Sequence, residues 1–178
     1  MNIIKKGQLN RRLSRFLKQK DRREVKFCSL EDAKRVQLFV TCPSHNMAWE
    51  LNAVVNKLFQ AGKEVQLCCF SNGKTCKSVE CKSNLQLSKR DISFFGTLKS
   101  RTKKQLQQYR SDIFIDMDMT ANIETLFLKT YSNTAFRIGR TSSLSIYYDF
   151  IVLCNEKYSL DDFVKNVGIY TKKFKENN

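Results

Sequence analysis

Two carboxylates one residue apart, Asp116 and Asp118, follow the apolar run Ile113-Phe114-Ile115. If that run is a parallel strand, the pair lies at its carboxyl end, where open α/β sheets place ligands. There it can hold Mg²⁺ with a phosphate bridging, bind another ligand, or serve only as loop and cap groups. A second cluster, Cys42-Pro43-Ser44-His45-Asn46, follows Val36–Val40 in the same way. His45 is the sole histidine. It could act as a base with Cys42 or Ser44 as nucleophile, which needs contacts within about 3.2 Å and a third group to orient the imidazole. Spacing identifies no third member, and a lone histidine in a helix-capping region is the plainer reading. Arg137 and Arg140 flank Gly139. Their guanidinium forks suit phosphate, and equally ion pairs with local acids.

Other chemistry is excluded by pattern. Gly73-Lys74-Thr75 ends like a phosphate-binding loop, but that loop needs a glycine five positions earlier, and Cys68 stands there. A dinucleotide fingerprint is absent as well, so no cofactor is implied. The seven cysteines are odd in number and irregular in spacing, a poor disulfide framework. Cys76 and Cys81 with His45 are the one imaginable zinc set, without the tight ligand clustering such sites use. Cys68 and Cys69 sit in an apolar run, where thiols behave as small hydrophobes. A reducing cytoplasm is the expected compartment.

The elements that position these groups follow from periodicity. Leu9, Leu13, Phe16 and Leu17 share one face of an amphipathic helix over about residues 5–20, with Arg11, Arg15 and Lys18 opposite. Val36–Val40 reads as a strand, then a helix to about Ala61, capped by Asn46 and closed by Gly62. Glu64–Phe70 is the next strand. Residues 74–82 are polar and irregular, and Asp91–Gly96 is a short strand or a packed loop. Ser100–Tyr109 suits a helix and Asp112–Asp116 a central strand. Thr120 can cap a helix carrying Ile123, Phe127 and Tyr131. Ala135–Ile138 and Tyr148–Leu153 read as strands, and Leu160–Phe174 as a helix opened by Ser159 and Asp162. Strand, helix and strand in alternation predict a single α/β domain over residues 1–178, three-layered, with a mainly parallel, Rossmann-like sheet of four to six strands. Val36–Val40, Val65–Phe70 and Ile113–Ile115 should be interior because they are apolar on both faces.

The chain of 178 residues carries a net charge of +15. Such a field draws anions without choosing among nucleic acid, headgroups, nucleotides or an acidic protein. The basic helix, through Arg11, Arg15 and Lys18, is the candidate anion-binding surface. No zinc finger, RNA-reading motif or basic zipper is present, so nucleic acid is possible but has no motif behind it. The apolar runs fall short of the roughly 20 residues that span a bilayer, and the first residues have no apolar core of a secretory signal.

Ser111-Asp112-Ile113-Phe114-Ile115-Asp116 followed by Phe136-Arg137-Ile138-Gly139 resembles the N-terminal domain of ADP-heptose:lipopolysaccharide heptosyltransferases. With Tyr147-Tyr148-Asp149 and the closing helix, the chain also looks like a short bacterial family of unknown function. These resemblances imply the fold and a single domain, and bring no catalytic residue. The transferases bind their sugar-nucleotide donor mainly in a second domain, which 178 residues leave no room for. The expectation is therefore a non-catalytic binding or assembly module for an anionic or protein partner. The alternative is a small enzyme, remotely related to glycosyltransferases, with a pocket at the strand ends built from Ser44, His45, Asp116, Asp118 and Arg137.

Overall fold

The computed structural model describes residues 3–20, 25–41, 45–71, 81, 83–119, 122–140, 146–154 and 158–177. In chain order the elements are α1 (Ile3–Lys20), β1 (Arg35–Thr41), α2 (His45–Gln60), β2 (Glu64–Ser71), β3 (Ser83–Ser88), a 3-10 turn (Lys89–Asp91), α3 (Ser100–Gln108), β4 (Arg110–Asp116), α4 (Ile123–Lys129), β5 (Asn133–Gly139), β6 (Phe150–Ile151) and α5 (Leu160–Glu176). The six strands form one sheet in the order β3-β2-β1-β4-β5-β6, and every pairing is parallel. That order reverses direction between β1 and β4, the Rossmann-like switch point.

Two-residue alternation along each strand divides the core. Val36, Leu38, Val40, Ile113, Ile115, Phe136 and Ile138 point to one face, where residues of α2 and α5 cover them. Phe39, Cys68, Phe70 and Phe114 point to the other, under Leu9 and Leu13 of α1, Leu106 of α3, and Phe127 and Leu128 of α4. The interior strands β1, β2 and β4 are thus apolar on both sides, as the sequence required. Gln37 and Gln66 interrupt the second face; burial obliges them to pair, and Gln37 Nε2 donates to Gln66 Oε1 at 2.5 Å.

Local signals fix the boundaries. Gly62 adopts φ +76° after α2, and Lys63 N–H donates to Leu58 O while Gly62 N–H donates to Phe59 O, a Schellman closure. Asp112 Oδ2 accepts from the N–H groups of Lys34 and Arg35, tying the start of β1 to β4. Ser159 Oγ accepts from Asp162 N–H at the head of α5.

Four boundaries differ from the sequence reading. α2 starts at His45, so Asn46 lies inside its first turn instead of capping it. Asn122, not Thr120, caps α4: its side chain accepts from Glu124 N–H at 2.8 Å. Thr120 lies outside the described residues, as do most of residues 74–82. Ser83–Ser88 is an edge strand that its polar sequence hid. The last strand shrinks from Tyr148–Leu153 to Phe150–Ile151, because Tyr148 leaves the ladder to fill the second face of the core.

Gly139 explains that departure. A Cβ at this position would lie 2.2 Å from Cδ2 of the Tyr148 ring. Gly139→Ala must therefore displace a buried ring. Urea unfolding should show a loss of roughly 1–3 kcal/mol or more. Gly7→Ala is the opposite control: it lies in α1, and an added Cβ meets nothing within 4 Å. It should gain roughly 0.5–1 kcal/mol in the same measurement.

Candidate functional site

The carboxyl ends of β1 and β4 are held by a buried polar cluster. Lys129, from the last turn of α4, places Nζ 2.6 Å from Asp116 Oδ2 and 2.8 Å from Asp118 Oδ2. The ammonium also sits 4.6 Å from the centre of the Phe39 ring. Asp118 accepts from Thr41 N–H at 2.7 Å and Thr41 Oγ1 at 2.9 Å, which ties β1 to β4 across the switch point. Asp116 Oδ1 accepts from Asp118 N–H at 3.1 Å, and its Oδ2 also accepts a short hydrogen bond from the Tyr148 hydroxyl. Tyr148 reaches that position by lying over Gly139. Asp149 then fastens the neighbouring backbone, accepting from Arg137 N–H and donating its own N–H to Arg137 O.

Burial sets the electrostatics. Loss of hydration raises the Asp116 carboxyl above its ordinary value, and the attraction of Lys129 only partly offsets this. For Lys129, burial works to lower the ammonium value, but Asp116 and Asp118 together outweigh it and the net shift is upward. The Tyr148 hydroxyl is pushed up by burial and by the adjacent Asp116. Each carboxylate oxygen has a protein donor, and the ammonium occupies the position that the sequence left open to Mg²⁺. Among the described residues, no group of three or more His, Cys, Asp or Glu could hold a metal ion.

The sequence-derived residues distribute as follows. Asp116 and Asp118 meet directly. His45 begins α2 just after β1, so it stands at the same end of the sheet as Asp116; only its backbone is described. Ser44 and Cys42 lie outside the described residues. Arg137 is buried mid-strand on the second face, paired in register with Phe114, and not at the strand end. Its guanidinium lies 5.4 Å from the ring centres of both Phe16 and Tyr147, and Nη2 donates to Ser132 O at 3.3 Å. Arg140 is buried too; it donates to Tyr158 O and lies over Phe163. Sequence reasoning missed Lys129 and Tyr148. The only signal for Lys129 was a cation that follows the apolar run Leu126-Phe127-Leu128 at the end of a short helix.

A basic opening lies elsewhere. A cavity of about 690 Å³ lies between α1, α3 and the α4–β5 turn. Arg12, Arg15 and Lys103 line it with Gln19, Gln107 and Asn133, and among the described residues no carboxylate does. Phe16, Phe127 and Tyr131 supply an aromatic wall. Ser132, also in the wall, is buried, and its Oγ has no hydrogen-bond partner among the described residues; nor has Arg12 Nε. Arg11 and Lys18 of the proposed anion-binding trio are exposed outside this cavity, whereas Arg15 lines it.

The model of a family of unknown function, DUF6913, matches residues 5–174. The chain belongs to DUF6913. No curated protein matches the chain. Among solved structures, this DUF6913 chain is similar to the crystal structure of the glycosyl transferase family 9 from Veillonella parvula DSM 2008. The identity is 11% and the TM-score 0.48, over 83% of this chain and 43% of that one. The chain therefore spans less than half the length of that protein.

Removing the ammonium from the DUF6913 strand-end cluster leaves two buried carboxylates without their cation. Lys129→Met should cost about 3–5 kcal/mol at neutral pH. The deficit should shrink as pH falls, because protonation of Asp116, whose value is already raised, discharges the site. In the unaltered chain, the raised Lys129 value works in the opposite range. Its contribution is fully present below the ordinary value of 10.5 and is lost as pH rises through the higher folded value. Urea titrations of both proteins from mildly acidic to alkaline pH check both signs.

Proposed function

We propose that the chain is a non-catalytic binding module for a phosphate-bearing anion, taken in the basic cavity between α1 and α3. The observation that carries this reading is the convergence of Arg12, Arg15 and Lys103 on a space that, among the described residues, no carboxylate lines and in whose wall the buried Ser132 Oγ has no partner. An arginine fork and a hydroxyl suit phosphate oxygens, and the amide side chains add neutral donors. The charge distribution supports it. α1 carries seven Lys and Arg residues and no acid, and the segment Lys89–Gln108 carries six against Asp91 alone. Both flank the cavity's face of the sheet, so most of the surplus of +15 is gathered there. α2 and α5, on the other face, are close to neutral: their Lys57–Asp161 and Lys165–Asp161 pairs cancel much of the charge.

Mobility-shift titrations with short RNA and duplex DNA, and calorimetry with pyrophosphate, at two salt concentrations test the reading. Binding should be strong at low salt, fall steeply with salt and depend little on sequence. Arg15→Glu, inside the cavity, should weaken binding more than Arg11→Glu or Lys18→Glu outside it. Ser132→Ala should weaken pyrophosphate binding with little change in stability. Failure of all three probes at low salt, or binding indifferent to salt, would overturn it.

A second reading is a small enzyme with a pocket at the strand ends, remotely related to glycosyltransferases. Topology favours it: β1 and β4 are the pair between which an open α/β sheet offers its crevice, and His45 and Asp116 share that end. It differs from the first in what it needs. His45→Ala should abolish turnover and leave anion binding in the basic cavity intact.

A further inference from the structure

The segment between the 3-10 turn and α3 folds back on itself as a closed turn. Gly96 N–H donates to Ser93 O at 3.0 Å, Ser93 N–H donates to Thr97 O at 2.8 Å, and Ile92 and Leu98 form an antiparallel bridge. Thr97 N–H donates to Ser93 Oγ, and the two hydroxyls lie 2.5 Å apart. Gly96 takes φ +66°, a conformation costly to any residue with a side chain. The turn is also anchored to α1. Lys5 Nζ donates to Ile92 O at 3.1 Å, and a Cβ on Gly96 would lie 3.0 Å from the Gln8 Cβ.

This rigid tip presents Phe94 and Phe95 at its two central positions, 53% and 70% exposed. Their rings meet edge to face at 5.6 Å and rest on each other above the surface. Adjacent exposed aromatic rings on a braced turn are not the scattered single apolar residues of an ordinary surface. The exposed cations Arg90, Lys99 and Arg101 lie within a few residues of them in sequence, and exposed Lys6 follows Lys5, which anchors the turn. The acid nearest to them in sequence, Asp91, is turned inward. Its Oδ2 accepts from Ser88 N–H and Oγ, and its Oδ1 accepts from Thr102 Oγ1.

From this juxtaposition we infer that the Ser93–Gly96 turn docks the protein on an anionic lipid bilayer, with Phe94 and Phe95 entering the interface and the flanking cations meeting the headgroups. Peripheral attachment takes two signals, an apolar insertion and a basic patch, and this tip offers both within one element. Aromatic rings favour the headgroup level, and Lys and Arg gain from the negative surface potential. A protein partner of the same charge would also have to bury two rings in a matching pocket. A bilayer needs no such match, and the convex shape of a turn tip suits it.

Co-sedimentation of the full chain with phosphatidylcholine vesicles, with and without phosphatidylserine, tests this. The protein should pellet with the phosphatidylserine vesicles, stay in solution with phosphatidylcholine alone, and be released by salt. The double variant Phe94→Ser/Phe95→Ser should bind the anionic vesicles at least about tenfold more weakly, since the insertion signal is lost and the cations alone remain. Both residues are exposed, so its thermal melt should match that of the parent. A second variant, Trp49→Phe with Phe95→Trp, should show a blue-shifted emission on anionic vesicles only. Equal binding by parent and double variant would overturn the inference, as would no binding to anionic vesicles at low salt or an unshifted emission. Arg15→Glu separates this surface from the basic cavity: it should impair pyrophosphate binding while leaving the emission shift in place.

Discussion

An ammonium with 1% of its side-chain surface exposed to solvent constrains much of this molecule. An isolated charge at that depth is untenable, and it persists only where opposite charge and hydrogen bonds are already in position. Lys129 therefore dictates what the carboxyl ends of β1 and β4 must look like. Asp116 and Asp118 must both face it. Thr41 must then satisfy Asp118, and a donor must reach the remaining face of Asp116. Tyr148 does so only because Gly139 leaves room for its ring. Five residues from four segments are thus fixed by one desolvation requirement. The apolar helix around Lys129 supplies burial, and the sheet supplies charge.

The same logic accounts for the asymmetry of the two faces. Under α2 and α5 the core is almost wholly apolar, and the helices above it balance their own charges. Under α1, α3 and α4 the sheet offers Gln37, Gln66, Asp116 and Arg137 among its apolar groups. Each must be matched from the sheet or from above. Gln37 pairs with Gln66, Asp116 with Lys129, and Arg137 lies against two aromatic rings. α1 contributes to this face mainly through Leu9, Leu13 and Phe16, so Lys6, Arg11, Arg15 and Lys18 remain exposed to solvent. The packing that stabilises the helix and the charge that the proposed function uses therefore meet on one element, with Phe16 serving both.

How much of this was legible depended on the range of the interaction. β1, β2 and β4 were readable because burial on both faces writes a continuous apolar run, and α2 because Gly62 closes a clear helical period. The polar edge strand β3 was not, since its ladder lies on β2 and an edge places little demand on side chains. Asp116 and Asp118 were readable as a chemically significant pair, but their partners were not. Lys129 stands 11 residues beyond Asp118, and Tyr148 stands 32 beyond Asp116. Contacts at such separations leave no periodic trace. Gly139 and Tyr148 stood out in sequence as separate fragments, and only the fold makes them one contact. Arg137 was assigned to a strand end by its neighbour Gly139, whereas strand alternation turns it into the second face of the core.

The switch point itself bears on where a ligand can sit. In an open parallel sheet, divergence of the chain on either side of the switch leaves a crevice above the strand ends. Here Thr41 and Asp118 bridge its floor with two hydrogen bonds, and Lys129 neutralises the carboxylates beneath. An anion approaching that floor meets acids whose cation is already engaged. A cation must displace an ammonium that burial and two short contacts hold in place. Neither has the advantage of the proposed phosphate site, where arginine side chains converge and a buried hydroxyl has no partner among the described residues. A ligand at the strand end would have to take its binding energy from groups other than this cluster. The cluster that makes the sheet end look catalytic in sequence is the one that most restricts what its floor can bind.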